Sequence, residues 1–201
     1  MLKLLPTCPV GLPGLAAIMT GFLAFFLALM VARMRASKDA AAPVARKASI
    51  TWLWIIVQGI GIGLVGFGPI VVALDPMSIA ALTEAGIVLL LMAGAVGLFD
   101  ASSRAMGKNW ALVARTRTDH ILVETGPFAY VRHPIYVALF LFMLAMAVAF
   151  GHLWNLIVGV PVYVVATGMR IRYEERLLKE QFGDAYDDYA RRVKRFVPGV
   201  F

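Results

Sequence analysis

Three groups of residues carry the types from which chemistry is made. Arg132, His133, Pro134 and Tyr136 stand together in the segment Gly126–Ala138, G-P-F-A-Y-V-R-H-P-I-Y-V-A. Glu174 and Glu175 stand side by side further along, behind Arg170 and Arg172. His120 precedes the first group. Pro134 suits the first turn of a helix, where a missing N–H costs nothing. Arg132 and His133 then sit at a helix N-terminus, whose free N–H groups attract anions. Tyr136, three positions after His133, shares its face if the turn is helical. Such a segment can hold a carboxylate or phosphate at a membrane edge. The competing reading is an interfacial anchor, with Arg132 snorkelling to lipid phosphates beside the aromatic rings. For the acidic pair the competing reading is a solvated helix face: Arg170 and Glu174 are i,i+4, and Arg172 is within reach of Glu175 and Arg176. No Ser-His-Asp or Cys-His nucleophile arrangement is visible. Cys8, the single cysteine, excludes an intramolecular disulfide and a cysteine-rich metal site, and no metal is expected.

The elements that position these residues are apolar helices. Of the 201 residues 61% are hydrophobic, and the mean hydropathy is +0.80, above the roughly 45–50% apolar content of a soluble domain. Five spans are read: Leu12–Val31, Ile50–Leu74, Ile79–Phe99, Ile135–Phe150 and Leu153–Met169. The first three reach the roughly 20 residues that a crossing needs. The last two are short and read as a tight hairpin around Gly151-His152. The first run is too long for a cleaved signal peptide and ends in Arg33 and Arg35, so it stays as an anchor. All of the 19 Lys and Arg except Lys3 follow spans one, three and five. The positive-inside rule then puts the N-terminus outside and the C-terminus in the cytoplasm, a parity that five crossings satisfy. The expected fold is an all-α integral membrane protein of about five transmembrane helices with cytoplasmic C-terminal helices. It divides into an N-terminal three-helix region, 1–99, and a catalytic region, 100–201, within one structural domain. The net charge of +7 points to the anionic membrane surface rather than to nucleic acid, because no basic stripe lies clear of the spans.

Between these elements the readings are plainer. Gly59 and Gly63 are four apart, as are Gly94 and Leu98 with Gly97 nearby, a spacing at which small residues let helices approach closely; no nucleotide fingerprint accompanies them. Glu84 lies near the outer end of span three, where a water-facing role outweighs an intramembrane one. Lys38–Ala48, with Pro43, reads as a cytoplasmic loop. Asp100–Val131 is too polar to span; it holds an amphipathic piece ending at Gly107–Trp110 and an extended stretch from His120 to Gly126. Beyond Met169 a charged helix continues out of span five to Phe182-Gly183, where Gly takes the left-handed C′ position. Asp184 caps a last helix, Ala185–Val193.

Together these residues resemble the isoprenylcysteine carboxyl methyltransferases and their relatives, the phospholipid methyltransferases. The family pattern, roughly His-x-Leu-Val-Thr-x-Gly-x-Tyr-x-x-x-Arg-His-Pro-x-Tyr-x-Gly, is matched by His120, Leu122, Val123, Gly126, Arg132, His133, Pro134 and Tyr136. The downstream Glu-Glu-x-x-Leu-x-x-x-Phe-Gly-x-x-Tyr-x-x-Tyr is matched by Glu174, Glu175, Leu178, Phe182, Gly183, Tyr186 and Tyr189. The resemblance runs from about Gly94 to the C-terminus. Phe128 stands where tyrosine is usual, Glu124 for threonine and Ala138 for the final glycine, and these departures bear on substrate identity.

The resemblance implies an integral membrane enzyme using S-adenosylmethionine, with the cofactor entering from the cytoplasm and a lipophilic or lipid acceptor entering sideways from the bilayer. It implies cofactor contacts from His120, Leu122, Val123, Gly126, Tyr130, His133, Pro134, Tyr136, Glu174 and Glu175. Arg132, with Arg170 or Arg172 as alternatives, would hold an anionic acceptor; a thiol or amine acceptor would need a histidine base. The expected reaction is most like carboxyl methylation of an isoprenylcysteine-type substrate, with thiol or phospholipid methylation, a sterol-reductase-like NADPH enzyme and a membrane scaffold as alternatives. A prokaryotic inner membrane is the expected location. The sequence leaves the oligomeric state open.

Overall fold

Each long apolar run becomes a helix, and the breaks fall where glycine, proline or a capping side chain interrupts the hydrogen-bond ladder. A computed structural model of the chain describes residues 6–38, 44–47, 51–107, 110, 115–117 and 121–199. Among them run α1 (Leu12–Lys38), α2 (Thr51–Gly66), α3 (Ile79–Met106), α4 (Pro134–Ala149), α5 (Leu156–Phe182) and α6 (Asp184–Arg192). Ser78 caps α3 by accepting the Ala81 N–H at 3.2 Å, and Gly107, at φ +50°, closes it. Pro134 opens α4. Gly183, at φ +54°, ends α5 in the left-handed region that its sequence position implies.

α1 packs on α3, α3 on α4, and α2 on α5. α4 is the centre: Tyr136, Ala138, Met143, Ala145, Ala147 and Ala149 are all buried, and its small residues let neighbours approach. Gly61 of α2 lies against the α5 backbone, where a Cβ would come within 2.9 Å of the Tyr163 amide nitrogen. Outward-facing Leu23, Phe26, Ile56, Ile60, Leu89, Leu90, Val164 and Val165 are exposed, the lipid-facing belt of an integral membrane protein. α1, α3 and α5 are long and apolar enough to cross a membrane, whereas α2 and α4 are shorter apolar helices.

Several expectations change. The second span is not a continuous helix to Leu74. α2 has 16 residues, about 24 Å at 1.5 Å per residue, and stops where Gly66, Gly68 (φ +148°) and Pro69 break the ladder. Its end is capped from the other side of the fold: Asn155 Nδ2 donates to the Leu64 and Phe67 carbonyls at 3.1 and 2.8 Å. The fully buried His152 ring lies between the Val65 and Pro69 carbonyls at 3.1 and 3.2 Å. The non-helical backbone that follows is satisfied within the protein, as lipid-level backbone must be; Val10, for example, donates to Val71 O at 2.9 Å. The fifth span and its charged continuation form one 27-residue helix ending at Phe182 before Gly183, as the sequence implies. The amphipathic piece after span three belongs to α3. Close packing comes through Gly61 and Gly159 rather than Gly59 and Gly63, which have open space beside them. Glu84 accepts the Gly11 N–H at 3.1 Å, tying α3 to the start of α1. Asp184 is the first residue of α6 and makes no side-chain cap. Part of the Lys38–Ala48 loop is strand: β1 (Val44–Lys47) pairs antiparallel with β2 (Arg115–Arg117), Val44 opposite Arg117 and Lys47 opposite Arg115. This ribbon is the one sheet among the described residues.

Candidate active site

Two adjacent carboxylates on α5 organise the site. The helix reaches Met169 as an apolar span and then continues as a charged helix. Glu174 and Glu175 therefore stand just past the apolar part and, about 100° apart around the axis, face different partners.

Glu175 is the hub of a cationic cluster. Arg195 grips it with two bonds, Nε to Oε1 at 3.0 Å and Nη2 to Oε2 at 2.6 Å. Arg132 Nη2 lies 3.2 Å from Oε1, and His133 Nε2 3.1 Å from the same oxygen. Burial raises the Glu175 carboxyl, but the hydrogen bonds from His133 and Arg195 and the charge of His133 and Arg132 outweigh it. Together they hold the group at about 2, against an ordinary 4.5. An ionised carboxylate accepts only, so His133 Nε2 carries the donated hydrogen. The imidazole is thereby fixed with Nδ1 turned toward Glu174, whose Oε2 lies 3.9 Å away. The lowered pKa predicts that the cluster's contribution to stability is complete above pH 4.5 and is lost as pH falls from there toward 2. Thermal unfolding in detergent from pH 7 to 3 checks this: the parent is expected to lose stability more steeply below pH 4.5 than Glu175→Gln, and equal slopes would contradict it.

Glu174 has a different environment. Its Oε1 accepts the Tyr136 hydroxyl and lies 3.8 Å from Arg170 Nη2. The Arg170 guanidinium sits 5.1 Å from the Tyr136 ring centre and donates from Nη1 to Gln58 Oε1 at 2.6 Å. Among the described residues, the nearest basic nitrogen to Oε2 is His133 Nδ1 at 3.9 Å.

The C-terminal strap after α6 completes the cluster. The Arg132 N–H donates to Lys194 O at 2.8 Å and the His133 N–H to Arg195 O at 3.1 Å. The amides of Arg132 and His133 are thus already used, and anion attraction there falls mainly to the side chains. Arg132 Nη1 donates to Ala190 O at 3.0 Å, while its buried Nε finds no acceptor among the described residues.

Three cavities lie around the cluster, one of about 570 Å³ on the α6 side, lined by Glu175 with Arg132, Arg176, Lys179, Tyr186 and Arg195. An inner one of about 260 Å³ lies among α1, α3, α4 and α5, with Phe99, Trp110, Phe128 and Met106 beside Arg132, His133, Arg170 and Glu174. A groove of about 480 Å³ runs between α4 and α5 along Val137, Phe140, Tyr163, Gly168 and Ile171, with Arg172 and Arg195 at its charged end. Tyr136 lines the inner cavity and the groove.

Of the residues singled out in sequence, Arg132, His133, Pro134, Tyr136, Arg170, Glu174 and Glu175 come together here. Arg172 does not meet Glu175; it is exposed at the groove, with Met169 Sδ at 4.0 Å. Leu122 packs with Tyr186, Tyr189 and Val193 behind the strap. Val123 is half-buried, Gly126 adopts φ +61° at the turn, and Tyr130 is 70% exposed and lines none of the three cavities. His120 lies outside the described residues. Sequence reasoning passed over Arg195, one of a run of C-terminal cations, and Gln58, although a single amide in an apolar helix was a signal.

A membrane-embedded helical bundle with a paired-carboxylate site at one end of its central helices defines the class. A model of the phospholipid methyltransferase family matches residues 83–185, just over half of the chain, and the chain belongs to that family. It is similar to the protein-S-isoprenylcysteine O-methyltransferase of Schizosaccharomyces pombe, 33% identical over 87 residues, which are 43% of this chain and 37% of that protein. The counterpart of Dictyostelium discoideum is 33% identical over 92 residues, 42% of this chain and 35% of that one. The nickel-cobalt-cadmium resistance protein NccN of Alcaligenes xylosoxydans xylosoxydans is 31% identical over 104 residues, 51% and 48%. The matches span less than half the length of these relatives.

Proposed function

We propose that the chain is an S-adenosylmethionine-dependent methyltransferase that acts on a lipophilic acceptor from the bilayer, most like carboxyl methylation of an isoprenylcysteine-type substrate. The observation that carries this reading is the shared wall: Tyr136 lines both the inner cavity, which Glu174, His133 and Arg132 also line, and the groove between α4 and α5.

The inner cavity fits the donor. Glu174 Oε2, with His133 no nearer than 3.9 Å, would take an ammonium group, and Arg132, on the wall of the same cavity, would face a carboxylate; these are the two ends of an amino acid. Trp110, Phe99 and Phe128 offer faces for a flat heterocycle. When bound, the cofactor would supply a sulfonium methyl for in-line displacement, chemistry that asks for alignment and a dry site more than a covalent catalyst. Glu175 takes a supporting part, holding Arg132, His133 and Arg195 in place rather than meeting the ligand.

The groove fits an amphiphile. Its walls are apolar, and Gly168 leaves open space beside the helix. Arg132, Arg170 and Arg195 are each committed to partners. Arg172 has no carboxylate partner among the described residues, and it stands where an acidic head would emerge. A carboxylate acceptor is already a nucleophile and needs no base; a thiol would call on His133 Nδ1. Charge asymmetry supports a cytoplasmic site with the N-terminus outside.

Vesicle-reconstituted protein given methyl-labelled S-adenosylmethionine and a prenylcysteine tests the reading. Label in the organic phase that is released by mild base, as an ester would be, is the expected result. Base-stable label would move the reaction to sulfur or nitrogen, and no transfer would overturn the proposal.

A further inference from the structure

Gln58 is the one polar side chain in the apolar stretch of α2 between Trp52 and Gly66 apart from the indoles, and it is 3% exposed. An amide at this depth is costly unless its hydrogen bonds are met. Both are met, in a fixed sense. The Arg170 guanidinium can only donate, so the oxygen of the amide faces Arg170, at 2.6 Å. The amide nitrogen then donates to Thr167 Oγ1 at 2.7 Å. Thr167 lines the groove and Arg170 the inner cavity. Gln58 therefore stands behind both walls and belongs to a part of the chain that the family match does not include.

We infer that Gln58 is a positioning residue for the donor cavity: by anchoring Arg170 over Tyr136 and against Glu174, it keeps the Glu174 carboxylate aimed into that cavity. Arg170 is 7% exposed and cannot turn to water for a replacement acceptor. Without Gln58 the guanidinium loses the acceptor of its Nη1, and among the described residues Glu174, 3.8 Å from Nη2, is the nearest carboxylate. A tighter Arg170–Glu174 pair would draw the carboxylate away from the ligand and neutralise it.

The inference rests on the proposed donor site, and the test separates the two. S-adenosylmethionine is titrated into folded, detergent-purified parent, Gln58→Met, Gln58→Glu, Arg170→Met and the Gln58→Met/Arg170→Met double variant, with dissociation constants from calorimetry and integrity from thermal unfolding. Gln58→Met keeps the shape and removes the acceptor, and affinity is expected to fall roughly tenfold, as for loss of a hydrogen bond to a charged group. Gln58→Glu still accepts from Arg170 and can accept from the Thr167 hydroxyl, so affinity is expected to return to within about threefold of the parent. The double variant is expected to bind no more weakly than Arg170→Met alone, because Gln58 acts through Arg170. Parent-like binding by Gln58→Met, failure of Gln58→Glu to restore it, or additive losses in the double variant would each overturn the inference while leaving the donor site standing. Absence of binding to the parent would overturn both. Should Gln58→Met fail to fold, Gln58→Asn, which withdraws the carbonyl by one methylene, carries the same comparison.

Discussion

Glu174→Gln is expected to weaken S-adenosylmethionine binding by about 30-fold or more with little loss of fold. In the proposed site this carboxylate is the one acidic group with an oxygen left over for a ligand. Its Oε1 is engaged by Tyr136 and Arg170, and its Oε2 has His133 only at 3.9 Å. Removing one charge from a buried, hydrogen-bonded charge pair costs about 2–5 kcal/mol, and 2 kcal/mol is roughly 30-fold. Glutamine keeps the shape and can still accept from the Tyr136 hydroxyl, so the unfolding temperature should stay close to that of the parent. Calorimetric titration beside a thermal melt separates the two effects. Parent-like affinity would remove Glu174 from the ligand.

Glu175→Ala is expected to act in the opposite order, through stability first. The carboxylate is the common partner of Arg132, His133 and Arg195, two of which are largely buried: Arg132 at 11% and His133 at 5% side-chain exposure. Breaking a buried ion pair by deleting one partner costs about 3–5 kcal/mol, because the other charge stays behind without compensation. Arg195, at 42% side-chain exposure, can turn to water, which puts the expected loss near the lower end, about 3 kcal/mol. The strap bonds Arg132 N to Lys194 O and His133 N to Arg195 O should loosen with it, so hydrogen exchange at those amides is expected to rise. Glu175→Gln, which still accepts from His133 and Arg195, should recover part of the loss. A variant as stable as the parent, with unchanged exchange at Arg132 and His133, would show that the cluster does not hold the strap.

These two glutamates are adjacent in sequence and alike in type, and only the fold separates their roles. The sequence displays that a site exists, because Arg132, His133 and Pro134 stand next to one another and the acidic pair interrupts an otherwise ordinary helix end. It does not display which carboxylate is saturated, since that depends on Arg195. One arginine among Arg191, Arg192, Lys194 and Arg195 has nothing in its local pattern to mark it. The same limit applies to the amides of Arg132 and His133: the helix start is legible from Pro134, but the carbonyls of Lys194 and Arg195 reach it only by a tertiary contact. Hydropathy located the long helices of α1, α3 and α5 well, because an apolar run and a lipid-facing helix are nearly the same statement. It misjudged α2 because Phe67–Leu74 is apolar without being helical, and hydropathy does not report backbone geometry. Gly66, Gly68 and Pro69 were the available warning; the Asn155 and His152 side chains that make the break tolerable lie far along the chain. Gln58 shows the intermediate case, a lone amide whose cost is visible in sequence and whose partners are not.

The central claim is that the cavity around Glu174 receives the methyl donor, and the most direct measurement is a calorimetric titration of the folded, detergent-purified parent with S-adenosylmethionine, its demethylated product and NADPH in turn. Saturable binding of the first two, without NADPH binding, is the result expected. Binding of NADPH alone, or of none of the three, would contradict the account.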